Sequence, residues 1–161
     1  MKRILCVVLA VLMLCSVCLM TGCEAKTLKL GMGVVAAYGS QTDADGETNG
    51  SAEAVITAAA VLLDKDGKIV KCVLDVADNK VDYTSAGKAV ANDSFKTKYE
   101  LGDDYGMKNP DYGSAKEWYE HAVAFVAACI GKKAGEITTD LQVAGCTIAI
   151  DGFVKAAAKV G

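Results

Sequence analysis

The sequence predicts an α+β fold: an antiparallel sheet built on a β-hairpin, with one long and one short packed helix. Three observations carry this. Residues 54–63 and 68–76 are apolar runs rich in β-branched side chains, joined by Asp64-Lys65-Asp66-Gly67, the signature of a hairpin. Trp118, Ala122, Phe125 and Cys129 repeat at helical spacing, with Tyr119, Val123, Val126 and Ile130 beside them. A shorter helical pattern follows Asp151 and Gly152, with Phe153, Val154 and Ala157 turned inward.

The N-terminal segment has a different character. Lys2 and Arg3 precede an apolar run of 17 residues, 4–20, which Thr21-Gly22-Cys23 closes. A basic start, an apolar centre and a small-residue exit form a secretory signal. The Thr-Gly-Cys exit resembles the lipobox of bacterial lipoproteins. That resemblance implies a signal peptide over 1–22, removed before Cys23, and acyl chains on the Cys23 sulfur and amine. The domain would then sit on the extracytoplasmic face of the cell membrane, held by its lipid at about 0.8 kcal/mol per buried CH₂. A plain transmembrane anchor is the alternative, at the lower limit of a spanning length.

Charge narrows the partners. The chain carries 17 basic and 20 acidic residues; without Lys2 and Arg3 the balance is 15 against 20, a net charge of −5. Arg3 is the only arginine, so the domain has no guanidinium fork for phosphate or carboxylate. Scattered lysines on an acidic chain, with no basic stripe, exclude a nucleic-acid binder. Of seven cysteines, Cys6, Cys15 and Cys18 lie in the leader and Cys23 takes lipid. Cys72, Cys129 and Cys146 are an odd remainder, expected as free thiols, with one disulfide among them as the alternative.

The elements read in order as follows. Residues 23–52, interrupted by Gly31, Gly33, Gly39, Gly46 and Gly50, read as a tether, with 30–38 as a possible first strand. Asp43, Asp45 and Glu47 alternate, but the glycine and distal glutamate of a calcium loop do not fall in register, so no metal site is assigned. The domain proper covers 53–161. In the hairpin's second run Val70, Cys72, Leu74 and Val76 are expected on the buried face, with Lys71 and Asp75 opposite. A further strand is open around Val81-Asp82-Tyr83. Residues 96–108 have no clear period and read as a loop carrying Tyr and Met. Ser114-Ala115-Lys116-Glu117 reads as a capping box opening the long helix, which Gly131 stops. Glu117 and His121 fall on that helix's edge. With no nucleophile or metal partner in the pattern, His121 is expected at the surface. Residues 140–150 read as loop, then strand.

The segment Asp140-Leu141-Gln142-Val143-Ala144-Gly145-Cys146-Thr147-Ile148-Ala149-Ile150, with the helix after it, resembles the closing segment of the FMN-binding domain family. These are extracytoplasmic flavoprotein domains of sodium-pumping quinone reductases, Rnf-type electron-transfer complexes and related lipoproteins. The family motif is Ser/Thr-Gly-Ala-Thr. Here Gly145 and Thr147 stand at its Gly and Thr, while Ala144 replaces Ser/Thr and Cys146 replaces Ala. Residues 66–70 resemble the family's opening hairpin, and 97–108 with Glu117-Trp118-Tyr119 resemble a signature of clostridial-type lipoproteins.

The resemblance implies FMN, joined by a flavin transferase to the Thr147 hydroxyl or held without a bond. Ala144, Gly145, Cys146 and Thr147 would meet the phosphate, and Tyr105, Met107, Tyr112 and Trp118 are candidates to cover the ring. A small glycine turn lets backbone approach a phosphate closely, and successive N–H groups form an anion nest. The implied function is electron carriage among envelope redox partners rather than turnover, with no catalytic residues assigned. The alternative is a flavin-free lipoprotein binding a small ligand or an envelope protein. No Ser-His-Asp order, zinc spacing or nucleophile elbow supports a hydrolase.

Overall fold

A computed structural model of the chain describes residues 27–91, 95–111 and 113–160. The expected signal peptide, Cys23 and Tyr112 lie outside the described residues. Strands β1 (Lys29–Thr42), β2 (Gly50–Leu63) and β3 (Ile69–Tyr83) form an antiparallel meander in the order β1-β2-β3. Then come α1 (Lys98–Leu101), a 3-10 turn over Gly102–Tyr105, α2 (Trp118–Cys129), a second 3-10 turn over Ala134–Glu136, and α3 (Asp151–Ala158). The architecture is α+β, with the long helix α2 and the short helix α3 on one face of the sheet. Among the described residues, no helix is long and apolar enough to cross a membrane.

The β2–β3 turn forms as its sequence dictates. Asp64 Oδ1 accepts from the amides of Asp66 and Lys68, both at 2.9 Å, and Gly67 takes φ +76°. The two strands pair along their length, and Val81-Asp82-Tyr83 is the end of β3 rather than a separate strand. One detail of the expected face is corrected. A β-bulge puts Leu63 opposite Ile69 and Leu62 opposite Lys71, leaving Val70 as the extra residue. Ile69 is therefore 1% exposed and Val70 44% exposed, while Cys72, Leu74 and Val76 stay buried.

The tether expected over 23–52 gives way to sheet from Lys29 onward, which bears out the alternative of a first strand over 30–38. β1 pairs with β2 from Lys29↔Leu63 to Thr42↔Ser51. Its glycines, which read as interruptions, are contact points. A Cβ on Gly33 would overlap the Ala156 carbonyl oxygen, and one on Gly31 would overlap the Val160 side chain. Glycine lets α3 lie directly on the strand. Lys159 Nζ then donates to Val34 O at 2.8 Å and fixes the helix end to β1. The acidic stretch after β1 is the hairpin loop. There Asp45 Oδ1 accepts from the amides of Glu47 and Thr48 and from the Thr48 hydroxyl. Those Thr48 and Glu47 donors hold the Asp45 carboxyl down at about 2.

The core lies between the sheet and the two helices. Val61, Ile69 and Leu74 meet Ala122, Phe125 and Cys129 of α2 and Phe153, Ala156 and Ala157 of α3. The helical stripe read from the sequence is buried as expected at Trp118, Ala122, Phe125 and Cys129; Val123 and Ile130 lie outside it, 54% and 46% exposed. Cys72 and Cys129 are buried free thiols and Cys146 a half-buried one. Burial, with Cys72 beside it, pushes the Cys129 thiol up to about 12. Residues 140–150 are a succession of turns, and the strand expected there does not form.

Candidate functional site

The N-terminus of α2 organises the region where the sequence placed its motif. The N-cap is Glu117, not Ser114, and its amide donates to Glu120 Oε2 at 2.9 Å. Glu117 is buried, and its carboxylate accepts from the amides of Met107 at 3.0 Å and Lys108 at 3.2 Å. The N-cap carboxylate thus holds the loop ahead of the helix. The residues ahead of that loop, read as irregular, begin with α1, capped by Thr97 and Glu100.

Ser114 has another task. Its Oγ lies 2.7 Å from His121 Nε2 and accepts from the Lys116 amide at 3.1 Å. The expectation of a surface histidine is corrected: His121 is 2% exposed, on the same face of α2 as Phe125. Its other nitrogen, Nδ1, meets the motif itself. Gly145 O is 3.2 Å away, and the Thr147 amide donates to Nδ1 at 3.3 Å. Nδ1 serves one at a time. Bearing a proton it donates to Gly145 O; bare, it accepts from Thr147 N–H. The Ser114 hydroxyl complements either tautomer. Lys116 Nζ also donates to Gly145 O, at 3.3 Å.

The 144–147 segment is a tight turn. Gly145 has φ +82°, and the Cys146 amide donates to Val143 O at 3.1 Å. Ala144, Gly145 and Thr147 are exposed and Cys146 is half-buried. Burial raises the Cys146 thiol above its ordinary value, although Ile148 N–H and Lys116 oppose the shift.

Two adjoining clefts open beside this turn. The first, of 310 Å³, is lined by Leu141, Val143, Cys146, Thr147 and Asp151. The second, of 280 Å³, is lined by Val55, Thr57, Val76, Lys98, Met107, Trp118 and Phe153. Ile148 and Ala149 line both. The expected residues are therefore divided. Ala144 to Thr147 form the turn, with Cys146 and Thr147 in the first cleft, and Met107 and Trp118 line the second. Trp118 is 2% exposed and stands edge-to-face with Tyr99 and Phe153, so it is a wall of that cleft, not an open platform. Tyr105 stands behind Lys98, whose ammonium lies 4.7 Å from the ring centroid.

Lys98 is the cation of the second cleft. It pairs with Asp78 at 2.9 Å. Burial alone would lower its pKa, but Tyr105 and Asp78 outweigh burial and hold it above its ordinary value. The other carboxylate oxygen, Asp78 Oδ1, is buried with no hydrogen-bond partner among the described residues. The residues fit a flavin mononucleotide in kind. A glycine turn with Lys116 and an exposed Thr147 hydroxyl adjoins an apolar cleft that carries one fixed cation. Each cleft is near the small end of ligand sites, and the pair falls within their range.

Among the described residues, no group of three or more His, Cys, Asp or Glu could hold a metal ion. The chain is similar to a chlorophenol reductase of Desulfitobacterium hafniense, 32% identical over 126 residues, 70% of this chain and 37% of that protein. The chain thus spans well under half the length of that relative. No family model matches the chain, and no solved structure matches it.

Proposed function

We propose that the chain is a lipid-anchored extracytoplasmic flavin-binding protein, an electron carrier of the cell envelope rather than an enzyme with its own turnover substrate. The observation that carries this reading is the Gly145–Thr147 turn, held by His121 and Lys116 at the edge of the first cleft, which Ile148 and Ala149 join to the more apolar second one. FMN would supply one- and two-electron redox chemistry. The chain would supply the rest. Lys116 brings positive charge to the turn, and Thr147 offers either a hydroxyl for a phosphodiester or a hydrogen bond. Met107 and Phe153 exclude water from the ring end, and Lys98, paired with Asp78, sets an ammonium donor beside it. The reductase name of the relative, a protein of greater length, supports a redox role. The lipobox-like Thr21-Gly22-Cys23 exit supports the anchor.

Two measurements on the full chain test this. Co-expressed with a flavin transferase, it should gain the mass of FMN less water. Fluorescence should follow the denatured band, and Thr147→Val should abolish both. If FMN is held without a bond, colour should wash out on denaturation and Thr147→Val should weaken binding. Labelled palmitate should enter the wild type and not Cys23→Ser; an intact Met1 in the wild-type protein would exclude the anchor. Ala144 and Cys146 in place of the family's residues favour a second reading, a flavin-free ligand-binding lipoprotein. That reading takes over if the purified chain shows neither bound flavin nor affinity for FMN.

A further inference from the structure

The helices cover one face of the sheet, and the other face is apolar too. Strand alternation places Leu30, Met32 and Val34 of β1 beside Leu62, Ala60 and Ala58 of β2, with Val73 of β3 completing the middle row. A solvated face would carry polar side chains at these positions. Here Leu30 is 76%, Met32 70% and Val73 58% exposed. Two charged residues share these rows, Lys71 and Asp75. Lys71 is at one end, and Asp75 Oδ1 accepts from the amides of Val76 at 2.7 Å and Tyr99 at 3.3 Å. At the far end Tyr38, 94% exposed, and Phe95, 54% exposed, border an open groove of 370 Å³.

We propose that a second copy of this chain covers the face, the two sheets packing as the layers of a sandwich. Shape supports self-association. Large side chains stand on β1 and at Val73, and alanines 58 and 60 lie between them on β2. Each face therefore has ridges flanking a trough, so one copy's Leu30–Val34 ridge fits the other's trough. Sheets packed face to face lie about 10 Å apart, a gap that side chains of this size fill. Size supports it as well. Strands of 14 residues at ~3.3 Å each, three abreast at ~4.8 Å, give a face of roughly 650 Å². Two such faces bury about 1,300 Å², within the range of stable interfaces. The contact is isologous, so a two-fold axis closes it as a dimer.

The test uses cysteines on the full chain in intact cells, with a short membrane-permeant bismaleimide and Cys146→Ala as background. Met32→Cys and Val73→Cys should each give a band of twice the mass. Lys155→Cys, on the helix side, should not. Adding Val73→Glu to Met32→Cys should remove the band and leave the far-ultraviolet circular dichroism of the purified protein unchanged. The proposal is overturned if neither sheet position cross-links, or if Lys155→Cys gives the same band. Protection of Met32→Cys from a soluble maleimide without cross-linking, relieved by detergent, would mean that lipid covers the face. The outcome is independent of flavin binding and of palmitate incorporation, which are read separately.

Discussion

Replacing His121 with alanine tests how the motif turn is held. The imidazole is 2% exposed and joins Ser114 at 2.7 Å to the turn at Gly145 and Thr147, 3.2 and 3.3 Å away. Its removal strands none of the three partners. Ser114 Oγ keeps the Lys116 amide, Gly145 O keeps the Lys116 ammonium, and Thr147 is exposed and reaches water. The polar loss is therefore small, about 1–2 kcal/mol for the lost hydrogen bonds together. The void left under the loop adds roughly 1–2 kcal/mol. The expected cost is about 3 kcal/mol. With an m-value of about 1.5 kcal/mol per molar urea, the midpoint falls by about 2 M. His121→Gln keeps a donor and an acceptor and should recover part of the loss. Amide exchange at Thr147 should speed up in the alanine variant, while exchange in β2 should change only with global stability. An unchanged midpoint together with unchanged exchange at Thr147 would refute the clamp.

Two further outcomes follow from the sheet and its loop. Gly33→Val should push α3 off β1, because the new Cβ overlaps the Ala156 carbonyl oxygen, which is backbone and cannot swing aside; overpacking of this kind costs typically 1–3 kcal/mol, read by urea titration. Asp45 is held at about 2 in the folded loop, below its ordinary 3.8, by the donors of Thr48 and Glu47. Its contribution is therefore fully present above about pH 4 and lost as pH falls through about 2. Asp45→Asn should flatten the acid limb of a thermal-midpoint profile in that window, and an acid limb of unchanged slope would count against the loop.

The hairpin and both packed helices were legible because each has a local cause. Asp64 and Gly67 impose the turn, and the Trp118–Cys129 stripe repeats at the helical period. β1, a strand of 14 residues, was legible only as an alternative over 30–38 because its glycines carry the wrong local signal. Glycine weakens an isolated strand, so Gly31 and Gly33 read as linker. Their meaning lies in α3, more than a hundred residues later, whose backbone occupies the space a side chain would fill. The misassigned cap has a similar origin. Ser114 and Glu117 have the spacing of a capping box, but Glu117 and Glu120 have it too. The second pair prevails because Glu117 also closes the loop through Met107 and Lys108, leaving Ser114 free for His121.

The site shows the same division between local and distant causes. The turn at Gly145 follows from its own residues, and the sequence places it correctly. Nothing near His121 in the chain announces a partner, since Gly145 and Thr147 are more than twenty positions away. The one available signal was position: His121 precedes Ala122 and stands four residues ahead of Phe125, on the stripe that had to be buried. A polar side chain there is tolerable only with both nitrogens satisfied. The atoms that satisfy them come from loops, Ser114 on one side and the 144–147 turn on the other. A buried histidine on an otherwise apolar helix face therefore implied loops folded over α2 before any loop could be drawn. Those loops, around Met107 and over 140–148, also line the two clefts.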